Sequence, residues 1–174
     1  MIILVTGLMR TGTSLISKQL HEMGVPMGKT MRFPLMREDA QLDWEDVEFT
    51  DKCLARLKGQ ISQEELEQFF VRYVAERKAQ GMDPWGVKSP FLLPFIELFK
   101  KHAGDYVKVI LTTRKFDDTL ASIARQTNLR EAMELQQMLV SHAGYMWPSL
   151  IVPIEDSWDT PQLVKNKLVE LIRS

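Results

Sequence analysis

The stretch Ile2-Ile3-Leu4-Val5-Thr6-Gly7-Leu8-Met9-Arg10-Thr11-Gly12-Thr13-Ser14 decides how this chain is read. Ile2 to Val5 is a continuous, β-branched-rich apolar run, the pattern of a strand buried on both faces of a parallel sheet. A turn bearing Gly7 and Gly12 follows. From Thr13 to Met23 the residues Leu15, Ile16 and Leu20 recur at helical spacing, until Gly24 stops the helix. A glycine-bearing turn between a strand and a helix start gathers backbone N–H groups, and the helix N-terminus adds partial positive charge. Such a segment is built to hold an anion.

Outward from this segment, short apolar runs alternate with amphipathic stretches. Val25 to Asp46 has no clear period, carries Pro26, Gly28 and Pro34, and reads as a long loop of the functional kind. Helices are predicted from Asp46 to Leu57 and from Ser62, where Ser62 and Glu65 form a capping box and Leu66, Phe69, Phe70, Tyr73 and Val74 share one face. Trp85 to Val87 reads as a short strand, Leu92 to His102 as a helix and Tyr106 to Thr112 as a strong strand. A helix capped by Asp117 or Asp118 runs to about Gln126, and Arg130 to Met146 makes another, ended by Pro148. Leu150 to Val152 is a last strand, and Thr160 with Pro161 opens a terminal helix to Ile172. Strands separated by helices imply an α/β fold in three layers, a P-loop-type parallel sheet of four to five strands flanked by helices. The expected organisation is one domain over residues 1–174, with 25–46 as a loop at the acceptor site.

Composition narrows the function. The chain has 174 residues, 45% hydrophobic and 26% charged, as ordinary globular proteins do. Its 22 lysines and arginines against 23 acidic residues leave a net charge of −1, which excludes a bulk polycation made to coat nucleic acid or acidic lipid. The apolar opening Met1 to Thr6 is too short for a signal-peptide core or a membrane span. A single cysteine, Cys53, excludes an internal disulfide and fits a reducing compartment, so the expected location is cytoplasmic, with neither nucleic acid nor membrane as partner. Oligomeric state is not legible.

The loop spacing matches the nucleotide-binding pattern G-x-x-x-x-G-K-[ST], except that Thr13 replaces the lysine and a cation appears at Arg10. A bare tight turn would need the glycines but not an arginine and three hydroxyl residues. Magnesium-dependent phosphoryl transfer also needs a carboxylate at a neighbouring strand end. Here the strand Tyr106 to Thr112 runs into Thr113-Arg114, and Asp156 lies several residues beyond the last apolar run. The loop therefore reads as an oxyanion site that needs no metal. Arg114 stands where ligands meet open parallel sheets, Ser122 follows eight residues later, and Lys88 closes the strand before Ser89-Pro90. Each has a plainer reading: Arg114 paired with Asp117 or Asp118, and Ser122 bonded to its own helix. Three cations at three strand ends would share one rim and suit a ligand with two or three negative charges.

These residues resemble the sulfotransferase family that uses 3′-phosphoadenosine 5′-phosphosulfate (PAPS), in its bacterial and Golgi-type branch. Gly7 to Leu15 is similar to that family's 5′-phosphosulfate loop, with Thr11 in the usual serine position. Arg114 and Ser122 match its 3′-phosphate pair, and Trp85-Gly86-Val87-Lys88-Ser89-Pro90 its strand-end lysine motif. Trp44-Glu45-Asp46 and Pro153-Ile154-Glu155-Asp156 are similar to further elements of the family. The resemblance implies sulfuryl transfer from PAPS, as co-substrate, to a hydroxyl or amine of a small-molecule or glycan acceptor. It assigns Arg10, Thr11, Gly12, Thr13, Ser14 and Lys88 to the 5′-phosphosulfate, with Lys88 following charge onto the departing phosphate, and Arg114 with Ser122 to the 3′-phosphate. Cytosolic members place a catalytic histidine two residues after the strand-end lysine, where this chain has Pro90; the C-terminal segment that closes over the nucleotide in those members has no counterpart here. Among His21, His102 and His142 none sits where a base is needed, so Glu45 is the leading candidate, with Glu38 and Asp39 behind it. Met27, Met31, Phe33, Met36 and Trp44 would give the 25–46 loop apolar bulk around an acceptor. The alternatives are a small-molecule kinase with a degenerate loop, which would require magnesium, and a non-catalytic nucleotide-binding protein.

Overall fold

Short apolar runs can bury both faces only when helices cover each side of the sheet they form, and that is the arrangement found. The computed structural model describes residues 1–27, 44, 46–104, 106–126, 129–142 and 148–174. In chain order the elements are β1 (Ile2–Gly7), α1 (Thr13–Glu22), α2 (Val47–Leu57), α3 (Gln63–Ala79), β2 (Trp85–Lys88), a 3₁₀ turn (Pro90–Phe95), α4 (Ile96–Ala103), β3 (Val107–Thr113), α5 (Phe116–Gln126), α6 (Leu129–His142), β4 (Leu150–Pro153), α7 (Ile154–Asp159) and α8 (Pro161–Arg173). Among the described residues the strands form one sheet in the order β2-β1-β3-β4, all parallel. β1 is central and wholly buried.

Alternation along the strands divides the core in two. Ile3, Val5, Ile110 and Val152 pack with Ile16 and Leu20 of α1 and Val164 and Leu168 of α8. Ile2, Leu4, Val87 and Val109 face the other way, against α2, α3, α4 and α6. There Phe49 is fully buried among Phe69, Phe70, Tyr73 and Phe99, with ring centroids 5.1–5.8 Å away, the spacing of stabilising aromatic pairs. This is the expected three-layer α/β fold.

The differences from expectation have local causes. The helix expected from Leu92 is a 3₁₀ turn until Phe95, with Pro90 at its first position, where no N–H is needed, and Pro94 inside it without an N–H to donate. α5 begins at Phe116, so Asp117 and Asp118 lie in its first turn, where they favour the dipole rather than cap it. Thr160 precedes α8, but its hydroxyl donates to the Asp156 carbonyl at 3.1 Å instead of capping. A short helix, α7, follows β4, where the sequence showed no helical period. The Ser62–Glu65 capping box is present as predicted.

On the outer surface Glu67 ties α3 to α4. It accepts from Gln63 at 2.9 Å and from Lys101 at 3.1 Å, and meets His102 Nε2 at 3.1 Å. These bonds, that of Gln63 foremost, lower its carboxyl from 4.5 to about 2. A depressed folded value contributes stability above pH 4.5 and loses it as the pH falls toward 2. Melting temperature should therefore drop across that window, and Glu67→Gln should flatten that part of the profile; an unchanged slope in the variant would contradict this assignment.

Candidate anion site at the C-terminal rim

In the order β2-β1-β3-β4 the chain leaves β1 toward β2 and leaves β3 toward β4, so the crevice for ligands opens between the C-terminal ends of β1 and β3. The glycine-bearing loop stands at that point. Gly7 pairs with Thr112 in register, and Val5 pairs with Lys88 on the other side. The loop, Lys88 and Arg114 therefore share one rim.

The loop needs its glycines for different reasons. A Cβ on Gly7 would lie 2.5 Å from the Thr112 carbonyl oxygen, so β1 and β3 could not approach as they do. Gly12 has φ 92, left-handed, and a Cβ there would sit 2.0 Å from Cδ1 of Ile154 on α7. Arg10 is also left-handed, at φ 67, which is unusual for a residue with a side chain. Between them Thr11 turns inward and is 4% exposed. Its hydroxyl donates to the Leu8 carbonyl at 2.7 Å and lies 2.8 Å from Thr112 Oγ1. That hydroxyl braces the loop against β3. α1 then begins at Thr13, and an α-helix leaves its first-turn N–H groups without intrahelical acceptors.

Residues far apart in sequence meet on this loop. Arg10 Nε donates to Ser122 Oγ of α5 at 3.2 Å, and Arg114 Nη1 donates to the Arg10 carbonyl at 3.3 Å. Ser122 is 4% exposed and faces Arg10, not solvent. Lys88 is 3% exposed at the end of β2. Beside Arg114, Glu155 Oε1 accepts the Lys115 N–H at 3.1 Å. Its own backbone N–H and that of Lys115 hold the Glu155 carboxyl below the usual range, with Lys115 and Arg114 adding to the effect. Glu155 stays ionised and partly balances Arg114.

Four contacts here had no signal in the sequence. They are Ile154 on Gly12, Glu155 on Lys115, Thr112 on Thr11, and Gln136 Oε1 accepting the Met9 N–H at 2.9 Å.

The acids proposed as base fare differently. Glu45, Glu38 and Asp39 lie outside the described residues, as do Met31, Phe33 and Met36. The neighbours of Glu45 are described and are anchored at the opposite, N-terminal rim. The Trp44 ring lies 4.6 Å from His21, near the far end of α1. Asp46 caps α2 through the Phe49 N–H at 3.1 Å, and it accepts from Tyr73 Oη at 3.1 Å and Arg77 Nη2 at 2.8 Å. Tyr73 packs on Trp85, the first residue of β2. Burial first, and then the Asp46 charge, push the Tyr73 hydroxyl far above its ordinary range. Asp46 is thus a structural carboxylate. A cleft of about 500 Å³ beside it is lined by Asp46, Glu48, Asp51 and Glu76 together with Arg77, a charge balance unsuited to a polyanionic nucleotide. His102 is held by Glu67, and Cys53 is fully buried with its thiol pushed well up by that burial, so neither offers chemistry to this rim.

No protein-family model matches this chain, and no curated protein matches it. Among solved structures it is similar to the crystal structure of an uncharacterized protein from Eubacterium ventriosum ATCC 27560. That likeness has a TM-score of 0.54 at 8% identity and covers 100% of this chain and 99% of that one. At such low identity it bears on the fold alone. No helix among the described residues is long and apolar enough to cross a membrane.

Proposed function

We propose that this protein is a sulfotransferase that takes PAPS as sulfuryl donor and a hydroxyl or amine of a small molecule or glycan as acceptor. The observation that carries the reading is the convergence of Arg10, Arg114 and Ser122 on the loop, through bonds of 3.2 and 3.3 Å, at the rim that also holds Lys88. A site with this much positive charge, spread over two neighbouring positions, suits a nucleotide carrying anionic groups on both sides of its ribose. Arg10, Lys88 and the backbone of Gly12, Thr13 and Ser14 would hold the 5′-phosphosulfate, with Arg114 and Ser122 taking the 3′-phosphate.

In the transfer, the acceptor oxygen or nitrogen forms a bond to sulfur while the bond from sulfur to the 5′-phosphate oxygen breaks. The electron pair stays on that phosphate and the acceptor's proton passes to a base. Fixed cations aimed at the departing phosphate stabilise the charge where it develops, and Lys88 stands on the strand beside the loop for that task. Glu45, with Glu38 and Asp39 behind it, is kept in this proposal as the proton acceptor.

The test is release of adenosine 3′,5′-bisphosphate from PAPS in the presence of a panel of phenols, amines and sugars. Lys88→Ala should lower turnover about 10²–10³-fold, the usual loss when one such electrostatic group is removed. Glu45→Gln should spare nucleotide binding and abolish turnover; full turnover in that variant would move the base to Glu38 or Asp39. A wild-type protein that leaves PAPS intact with every acceptor class would overturn the proposal.

A further inference from the structure

We propose that Gln136 and Arg114 are positioning residues that set the shape of loop 8–12 before any ligand arrives, Gln136 through the Met9 amide and Arg114 through the Arg10 carbonyl. This rests on the reading of the loop as the 5′-phosphosulfate site and adds a second task for Arg114 and a first one for Gln136.

The loop has a shape that its own residues do not favour. Arg10 takes φ 67, a region that clashes with a side chain, and Gly12 takes φ 92 two residues later. Inside the loop the Thr11 N–H reaches the Leu8 carbonyl at a long 3.4 Å. The Thr11 hydroxyl adds a 2.7 Å bond to the same carbonyl, and further support comes from outside the loop. Arg114 donates to the carbonyl of Arg10, the left-handed residue itself, and so fixes the peptide plane that follows it. One residue earlier, the Met9 N–H points to Gln136 Oε1 at 2.9 Å in a buried contact. Gln136 is only 9% exposed and stands on α6, 127 residues along the chain from Met9. Removing its oxygen would leave a buried N–H without an acceptor, which drives the peptide to turn elsewhere. The two contacts bracket Arg10 from both sides of the loop.

The experiment has two independent readouts. The first is amide hydrogen exchange at Met9 and Thr11 in the ligand-free protein, measured against Leu4 of β1. The second is affinity for adenosine 5′-monophosphate, which lacks the 3′-phosphate and so removes any direct contact of Arg114 with that group. Gln136→Leu should speed exchange at Met9 about tenfold and weaken the monophosphate about tenfold, whereas Gln136→Glu, which keeps an acceptor, should leave Met9 exchange within about twofold. Arg114→Ala should weaken the monophosphate about fivefold. In an Arg10→Gly background the same substitution should cost under about twofold, since glycine takes the left-handed conformation unaided. A residue that merely stabilised the fold would not produce that last contrast.

Unchanged exchange at Met9 and Thr11 in both variants, or an Arg114 effect of equal size in the Arg10→Gly background, would overturn the inference. If Gln136→Leu does not fold, the Arg114 and Gln136→Glu arms decide alone. If exchange responds as stated but wild type binds neither the monophosphate nor the 3′,5′-bisphosphate, the positioning role stands and the sulfotransferase reading falls.

Discussion

Gly12→Ala is expected to lower stability by about 2–5 kcal/mol and to abolish nucleotide binding. Two costs combine. A side chain at φ 92 meets the left-handed penalty, about 1–2 kcal/mol. Its Cβ would also lie 2.0 Å from Cδ1 and 2.4 Å from Cγ1 of Ile154, a collision that neither a loop end nor a short packed helix absorbs freely. Overpacking of this kind costs about 1–3 kcal/mol. For a chain of this size the sum is a fall of roughly 5–20 °C in melting temperature. The Gly12→Ala/Ile154→Ala double variant removes the collision but keeps the backbone penalty and adds a cavity. Its loss should therefore be smaller than the sum of the two single losses, and strict additivity would contradict the packing described here.

Asp46→Ala has a comparable effect from the opposite rim. The carboxylate caps α2 and accepts from both Tyr73 and Arg77, with its side chain 10% and that of Arg77 20% exposed. Losing the cap costs about 1 kcal/mol, and breaking a mostly buried ion pair by removing one partner costs about 3 kcal/mol or more. Urea unfolding should show a loss of about 3–5 kcal/mol. Asp46→Asn keeps a capping oxygen and should lose distinctly less. Nucleotide affinity, measured where the variant is still folded, should stay within about threefold, because Asp46 is remote from the loop. A loss of ten-fold or more in that affinity would mean that the two rims communicate.

Much of this was legible because it is written locally. The run Ile2 to Val5, the glycines at 7 and 12 and the helix after Thr13 obey rules that act over a few residues. Strand-end positions for Lys88 and Arg114 followed from those rules, and a parallel sheet then puts such ends on one rim. The eight-residue step from Arg114 to Ser122 likewise placed the hydroxyl on the helix that follows β3. What was not legible depends on partners distant in sequence. Nothing near Gln136 marks it as the acceptor for Met9, and nothing near Ile154 marks it as the wall against Gly12. The short helix α7 was missed for another reason: six residues with three acids and an aromatic carry too little periodicity to show. Asp46 illustrates a third limit. Next to Glu45 and Trp44 it reads as part of a chemical element, and only its contacts with Tyr73 and Arg77 reveal a structural role.

The central claim is that the rim is matched to a nucleotide with phosphate groups at both the 3′ and 5′ positions. Thermal stabilisation by adenosine 3′,5′-bisphosphate, set beside ADP and ATP–Mg, tests it most directly. A ligand at 100 times its dissociation constant adds about 2.7 kcal/mol, which in a chain of this size raises the melting temperature by roughly 5–10 °C. At equal concentrations the bisphosphate should give the larger shift, and Arg114→Ala should erase its advantage over ADP. Equal shifts from all three ligands, or a larger one from ATP–Mg, would contradict the account.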